Sequence, residues 1–386
     1  MRIAVVEPYH GGSHRAFAEG LARFSAHDVE IFSLRASFWK WRMQGGFVPL
    51  AAELTESAKR NGRFDLVLGT SMLDAARFLG AARHAMASTP FVFYMHENQL
   101  TYPPAPGGRV DLSFAMTNWV SMTSSDLVLF NSQFHLDTWF GELPGLLRRF
   151  PDHRHSNFID DVRGKAAVLA PGIDLQRIGA PAPRRGRPLI LWNQRWEYDK
   201  GPDLLVEAIM RLAESGAVFD LALAGEQFVS DPTGFGALRD RLGSRVVHFG
   251  YAEDAGYIEL LASADIVVST SLQEFFGIAI TEAMYAGSFP VLPRRLVYPE
   301  RLPTSHHDRC LYDDAEDLVA KLRWAIDHRR EAAGLAAELK PVMAAFDWSE
   351  LAPIYDATFQ AAATNTGPPS NVQPVVPADD AASTET

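Results

Sequence analysis

The chain's 386 residues, 47% hydrophobic and 22% charged, suit two α/β domains with full cores, and its one cysteine, Cys310, excludes an internal disulfide or a cysteine-based zinc site. No apolar run approaches the roughly 18 residues that cross a bilayer, and Met1 to Glu7 reads as a strand rather than a leader, so the expectation is a cytoplasmic protein with no membrane partner. A net charge of −11 argues against nucleic acid, but residues 1–182 hold 18 Lys+Arg against 17 Asp+Glu while 183–386 hold 18 against 30, so the first half can still meet a polyanion.

Residues 2–6 form the first expected strand, followed by a Gly11-Gly12 turn and a helix from Arg15 to Phe24. Paired glycines after a first strand let backbone approach a phosphate, although a tight βα connection needs them too. His10 and His14 have a zinc-like spacing but flank the glycines rather than share a helix face, so no metal is expected there. Strands at 28–33, 64–69, 90–95, 126–130 and 166–169 alternate with helical patterns at 72–86 and 134–140, which predicts a doubly wound parallel sheet.

Three stretches of this half carry chemistry. Trp39, Lys40, Trp41 and Arg42 interleave aromatics with cations, a pattern that either stacks on bases or packs into a core. His96, Glu97 and Asn98 stand at a strand's carboxyl end among consecutive polar residues, which a core tolerates only when paired. Arg148, Arg149, His153 and Arg154 form a cationic loop suited to phosphate contacts, or a solvated face.

A Pro/Gly/Arg stretch at 181–188 reads as a linker, and a second sheet starts at Leu189. Its first turn carries Arg195 and Lys200 before a helix from Asp203 to about Ala213, a cationic clamp for a diphosphate. Strand ends at 222–226 and 246–251 are expected to line a nucleotide cleft, with the base near Phe249 to Tyr251. The apolar run 265–270 then leads through Glu274, Phe275, Phe276 and Gly277 into a helix from Ile278 to Ala286, so a loop and a helix start lie at a strand's carboxyl end. Glu274 and Glu282 can each accept hydrogen bonds from vicinal hydroxyls, and a phosphate between two hydroxylated rings would satisfy the whole stretch, which describes a nucleotide-sugar. An amphipathic helix at 346–362 and a polar stretch at 363–386, expected to be disordered, end the chain.

Two glutamates eight apart, with Phe-Gly after the first and Glu-Ala-x-x-x-Gly at the second, resemble the signature of retaining GT-B glycosyltransferases of family 4. The resemblance implies two Rossmann-like domains, 1–182 on the acceptor side and 183–345 for the donor, facing a central cleft, with 346–362 crossing back to the first. It implies that Glu274 holds the donor sugar, that Arg195, Lys200 and the amides of Phe276 and Gly277 hold the diphosphate, and that Glu282 holds the ribose. It also places Gly11 and Gly12 near the donor and His96 beside the sugar as a polarising group, the donor phosphate itself taking the acceptor's proton. No Asp-x-Asp motif occurs, and transfer without metal or cofactor is expected.

Further stretches are similar to the tRNA-queuosine α-mannosyltransferases: Tyr9 to His14, Trp39 to Arg42, His96 to Pro103, 151–154, Arg195 to Lys200 and Leu296 to Glu300. That family implies GDP-mannose as donor and the cyclopentenediol of queuosine in the aspartate tRNA anticodon as acceptor. Trp39, Lys40, Trp41, Arg42, Glu97, Asn98, Arg148, Arg149, His153 and Arg154 would then meet the tRNA. The chain is more compact than animal members and resembles a bacterial relative. A family 4 enzyme with a small-molecule or envelope-glycan acceptor, and a non-catalytic RNA-binding protein on the same scaffold, are the alternatives. The second is disfavoured because it has no need of Arg195, Lys200, Glu274 and Glu282 together.

Overall fold

The computed structural model describes residues 1–86, 88–104, 107–108, 111–179, 186–226 and 234–364. Most of the expected linker and the tail from residue 365 lie outside them. The chain forms two compact units, one of residues 1–104, 111–174 and 346–364, the other of residues 107–108, 175–179, 186–226 and 234–345. The boundary falls at Asp174/Leu175, earlier than the expected 182.

The first unit is built on a parallel sheet of β1 (Arg2–His10), β2 (Asp28–Arg35), β3 (Leu66–Thr70), β4 (Phe91–Met95), β5 (Leu127–Phe130) and β6 (Ala166–Val168), in the order β2-β1-β3-β4-β5-β6. The runs LVLGT, FVFYM and LVLF are buried at every position, as strands covered on both faces must be. The order reverses between β1 and β3, so the carboxyl ends of those strands flank the crevice where such sheets bind ligands. The final helix, Trp348–Ala363, belongs to this unit. Its Trp348 ring lies where a Cβ on Gly20 or Gly172 would come within 2.1 or 2.2 Å, so both glycines are there to admit the indole. Asp356 accepts from the Ser25 hydroxyl, and the Tyr355 hydroxyl donates to Ala170 O at 2.9 Å.

The second unit repeats the plan with β7 (Leu189–Trp192), β8 (Asp220–Ala224), β9 (Val246–Gly250), β10 (Ile266–Val268), β11 (Phe289–Pro293) and β12 (Leu311–Tyr312). Its order, β12-β11-β10-β7-β8-β9, reverses between β7 and β10. No helix among the described residues is long and apolar enough to cross a membrane.

Some elements depart from expectation. The helix expected from Arg15 starts at Gly12, and the one expected over 72–86 is two, Ala75–Ala81, capped by Asp74 at Arg77 N, and Arg83–Met86. Trp39–Gly45, Phe47–Asn61, Leu112–Thr123, Ala315–Asp327 and Arg329–Ala344 are helices beyond the expected set.

Candidate active site

In the second unit the crevice between β7 and β10 gathers Lys200 and Glu274. Lys200 is held by a short 3-10 turn, Tyr198–Lys200, that ends on Gly201 at φ 60°. A Cβ there would come within 2.2 Å of Thr270 O, so both the turn and its approach to the strand end demand glycine. Lys200 Nζ donates to Glu274 Oε2 at 3.0 Å and to Gln273 O at 3.1 Å, and Asp199 Oδ2 stands 3.6 Å away. The amides of Phe275 and Phe276 donate to Glu274 Oε1 at 3.1 and 3.4 Å. Burial pushes the Glu274 carboxyl up, but Lys200 and the amide contacts outweigh it and hold it below the usual carboxylate range. An ammonium and two amide N–H groups thus converge on one anion, a receptor that a phosphate could also fill.

Gly277, at φ 86°, starts the helix Ile278–Tyr285, which no side chain caps. Beneath the loop, Gln194 Nε2 donates to Ser269 Oγ at 2.9 Å and Ser271 Oγ to Gln194 Oε1 at 3.0 Å, while Tyr298 meets Ser269 at 2.6 Å. The ring of Phe276 packs under Arg301 at 4.2 Å. Arg195 is half-exposed and pairs with Glu197 at 3.1 Å and Asp199 at 3.8 Å; it shares Asp199 with Lys200, and its charge adds to the pull that lowers Glu274.

Glu282 is buried and both oxygens are engaged: Arg177 Nη2 donates to Oε1 at 2.7 Å and the Tyr257 hydroxyl to Oε2 at 2.9 Å. Asn193 Nδ2 in turn donates to the Tyr257 oxygen at 3.0 Å and to Ala279 O at 2.8 Å. Burial and the Glu282 charge keep the Tyr257 hydroxyl protonated far above the ordinary tyrosine range. Phe249, near the expected base position, is edge-on to Trp196 at 4.8 Å, and Tyr251 is exposed.

In the first unit the carboxyl ends of β1, β3 and β4 bring together Glu7, Ser71, His96 and Glu97, with His14 from the first turns of the helix Gly12–Phe24. Glu7 is fully buried; its Oε1 accepts from Tyr9 N at 2.8 Å and its Oε2 faces His14 Nδ1 at 3.0 Å. The other His14 nitrogen, Nε2, meets Glu97 Oε2 at 3.0 Å, and Ser71 Oγ donates to Glu97 Oε1 at 2.7 Å. Burial alone would push His14 down, but the carboxylates on either side overturn it and raise its pKa to about 10. His96, packed at a tilt against His14 with ring centroids 4.2 Å apart, is driven well below the ordinary imidazole range by burial and then by the His14 charge. Its Nε2 stands 3.9 Å from Glu7 Oε2 and makes no hydrogen bond. Glu7, His14 and His96 offer ligand atoms within 4.8 Å of one another, the geometry of a group that could hold a metal ion.

The remaining expected contacts divide. Asn98 is fully buried; its Oδ1 accepts from Leu100 N, Thr101 N and Thr101 Oγ1 at 3.0, 2.9 and 3.1 Å and so folds the loop, while its Nδ2 has no partner among the described residues. Gly11 has extended backbone, and a Cβ on it would meet Ala36 Cβ at 2.4 Å, so packing accounts for it; Gly12, at φ 51°, opens the helix. Trp39 packs on Phe114 at 5.0 Å with Lys40 above its ring, while Trp41 is 62% exposed and Arg42 bonds Arg35 O and Ser37 Oγ. Arg148, Arg149, His153 and Arg154 are exposed, and Phe150 and Phe158 are exposed beside them. Glu7, His14, Ser71, Arg177, Asn193 and Tyr257 are absent from the expected site. Arg177 lies just past the boundary between the units, and Glu7, Ser71 and Asn193 are polar residues at the ends of apolar strands. Tyr257 lies in a helix with no local motif, and His14 falls in the stretch Tyr9 to His14 without its partners being legible.

The family described as "tRNA-queuosine alpha-mannosyltransferase N-terminal" matches residues 2–173, and "Glycosyl transferases group 1" matches residues 178–339. A tRNA-queuosine alpha-mannosyltransferase of Drosophila melanogaster is 33% identical over 331 residues, 83% of this chain and 85% of that protein. A GDP-mannose-dependent alpha-(1-6)-phosphatidylinositol dimannoside mannosyltransferase of Mycobacterium tuberculosis is 28% identical over 188 residues, 46% of this chain and 45% of that protein. Among solved structures, sucrose-phosphate synthase from Thermosynechococcus elongatus aligns with TM-score 0.70 and 16% identity over 94% of this chain and 100% of the other. Anabaena HepE in complex with UDP gives 0.66 and 18% over 94% and 100%. With the two parallel sheets, these likenesses show the GT-B fold and nothing finer.

Proposed function

The chain belongs to the tRNA-queuosine alpha-mannosyltransferase family of glycosyltransferases, and from that premise we propose that it moves mannose from GDP-mannose to the cyclopentenediol of queuosine in the aspartate tRNA anticodon. The observation that carries the donor half is the convergence of Lys200 Nζ and the Phe275 and Phe276 amides on the Glu274 carboxylate. A donor diphosphate entering this receptor takes over the ammonium and amides and frees Glu274 to accept from the sugar's hydroxyls. Arg195 and the Gly277 amide complete the charge balance, and Glu282, steadied by Arg177 and Tyr257, accepts from the ribose. The names of the Drosophila and Mycobacterium relatives support mannose as the sugar and GDP as its carrier.

The acceptor oxygen forms its bond to the sugar's anomeric carbon as the bond to the diphosphate breaks, and the acceptor's proton passes to the departing phosphate. Glu97 receives the acceptor diol and neutral His96 polarises it. The exposed Trp41 and the cations Lys40, Arg148, Arg149, His153 and Arg154 hold the RNA by stacking and phosphate contact. Transfer proceeds without a metal, in the cytoplasm where mature tRNA resides.

The test is incubation with queuosine-containing tRNA and separate GDP- and UDP-sugars, followed by mass spectrometry of the digested nucleosides. One hexose on queuosine with GDP-mannose alone is the expected result. Hydrolysis of a nucleotide-sugar with no added mass on the tRNA would overturn the acceptor assignment.

A further inference from the structure

We propose that His14 is a positioning residue: an imidazolium strut, anchored on buried Glu7, that fixes the Glu97 carboxylate where the acceptor's hydroxyls meet it. This rests on the reading above that Glu97 faces the acceptor. The strut spans three chain segments. Glu7 lies toward the carboxyl end of β1 and is oriented by Tyr9 N, His14 comes from the following helix, and Glu97 follows β4, where Ser71 holds its other oxygen. Each ring nitrogen of His14 meets a carboxylate oxygen at 3.0 Å, so the ring cannot turn without taking the charged donor away from one of the two carboxylates. Two N–H donors on separate nitrogens pointing away from one another are what a protonated imidazole offers, whereas a lysine or amide carries its N–H groups on one nitrogen and a neutral histidine has a single N–H.

The groups facing His14 are Glu7 from β1, Glu97 and neutral His96 from the segment after β4, the edge of the Tyr9 ring, and Phe17 beyond His96. The two carboxylates hold the proton and account for a pKa near 10. Charge-assisted bonds on both sides make the carboxylate's direction a property of the fold rather than of the ligand, which is what a transfer that must select one hydroxyl of a diol requires.

Two measurements test this. In the wild-type protein, ¹⁵N NMR of the His14 ring is expected to show both nitrogens protonated up to about pH 9; a neutral tautomer at pH 7.5, or stoichiometric zinc on the purified protein, would overturn the strut whatever the acceptor is. In a His14→Gly variant, the acceptor KM is expected to rise roughly 10- to 100-fold while the donor KM holds. Imidazole should restore the acceptor KM, and 1-methylimidazole, which when protonated has a single N–H, should not. Equal rescue by both, or an equal loss for donor and acceptor, would reduce His14 to a packing role. Failure of the wild type to modify queuosine would instead count against the acceptor reading and leave the NMR result standing.

Discussion

The two units place a cation between carboxylates at the same topological spot, and they do it in opposite ways. In the second unit the cation is Lys200, an ammonium on a flexible stem, and its partner Glu274 sits on a loop with two amides at its back. In the first unit the cation is His14, charged at neutral pH only because Glu7 and Glu97 grip it. A pair of intrinsic charges can be parted by a ligand that replaces one of them, whereas a histidine that owes its charge to its neighbours cannot exchange them and stay charged. The first arrangement suits a site that trades anions, the second one that holds a shape.

The largest effect that would break this comparison lies at the loop. Glu274→Ala is expected to abolish transfer while the circular dichroism spectrum and thermal midpoint stay near wild type; retained turnover would mean that the donor sits elsewhere. Lys200→Met should raise the donor KM by the equivalent of about 2–5 kcal/mol, since it takes one charge from a desolvated pair, and isothermal titration with GDP would measure it.

The His14 side is tested through stability. The folded-state pKa is raised from 6.5 to about 10, so the stabilisation is complete below about pH 6.5 and is lost as pH climbs toward 10. The difference in unfolding free energy between wild type and His14→Gln should therefore be greatest near pH 6 and shrink steadily toward pH 10 in urea titrations. A difference independent of pH would remove the charge from the account. The smallest effect separates two tryptophans two residues apart. Trp39→Ala should cost about 1–3 kcal/mol of stability, whereas Trp41→Ala should leave stability within about 0.5 kcal/mol and weaken tRNA binding in a filter assay.

What could be read from the sequence follows the range of the interactions. Glu274, Gly277 and Glu282 lie within one strand-loop-helix passage, so spacing alone shows that they share a site, and Lys200 announces itself at the start of the next unit's first helix. The Glu7–His14–Glu97 strut has no such signature. His14 and Glu97 are 83 residues apart and become neighbours only when β1, β3 and β4 align. The spacing of His10 and His14 invites a metal reading, but the fold gives each its own carboxylate: Glu19 lies 3.8 Å from His10, and Glu7 takes His14. Asn98 shows what a polar run conceals. The residue after His96 and Glu97 reads as another contact, and its oxygen also closes the loop that carries them.

The helix Trp348–Ala363 gives the first unit an unusual history during synthesis. Ser25 waits for a partner 331 residues downstream, and the indole that fills the space over Gly20 and Gly172 arrives only after residues 175–345 have been made. On the ribosome the leading unit therefore stays incomplete while residues 175–345, the bulk of the trailing unit, are made. The order of completion is the reverse of the order of translation, and a nascent chain stopped before residue 346 would expose the apolar seat of Trp348 to chaperones and proteases.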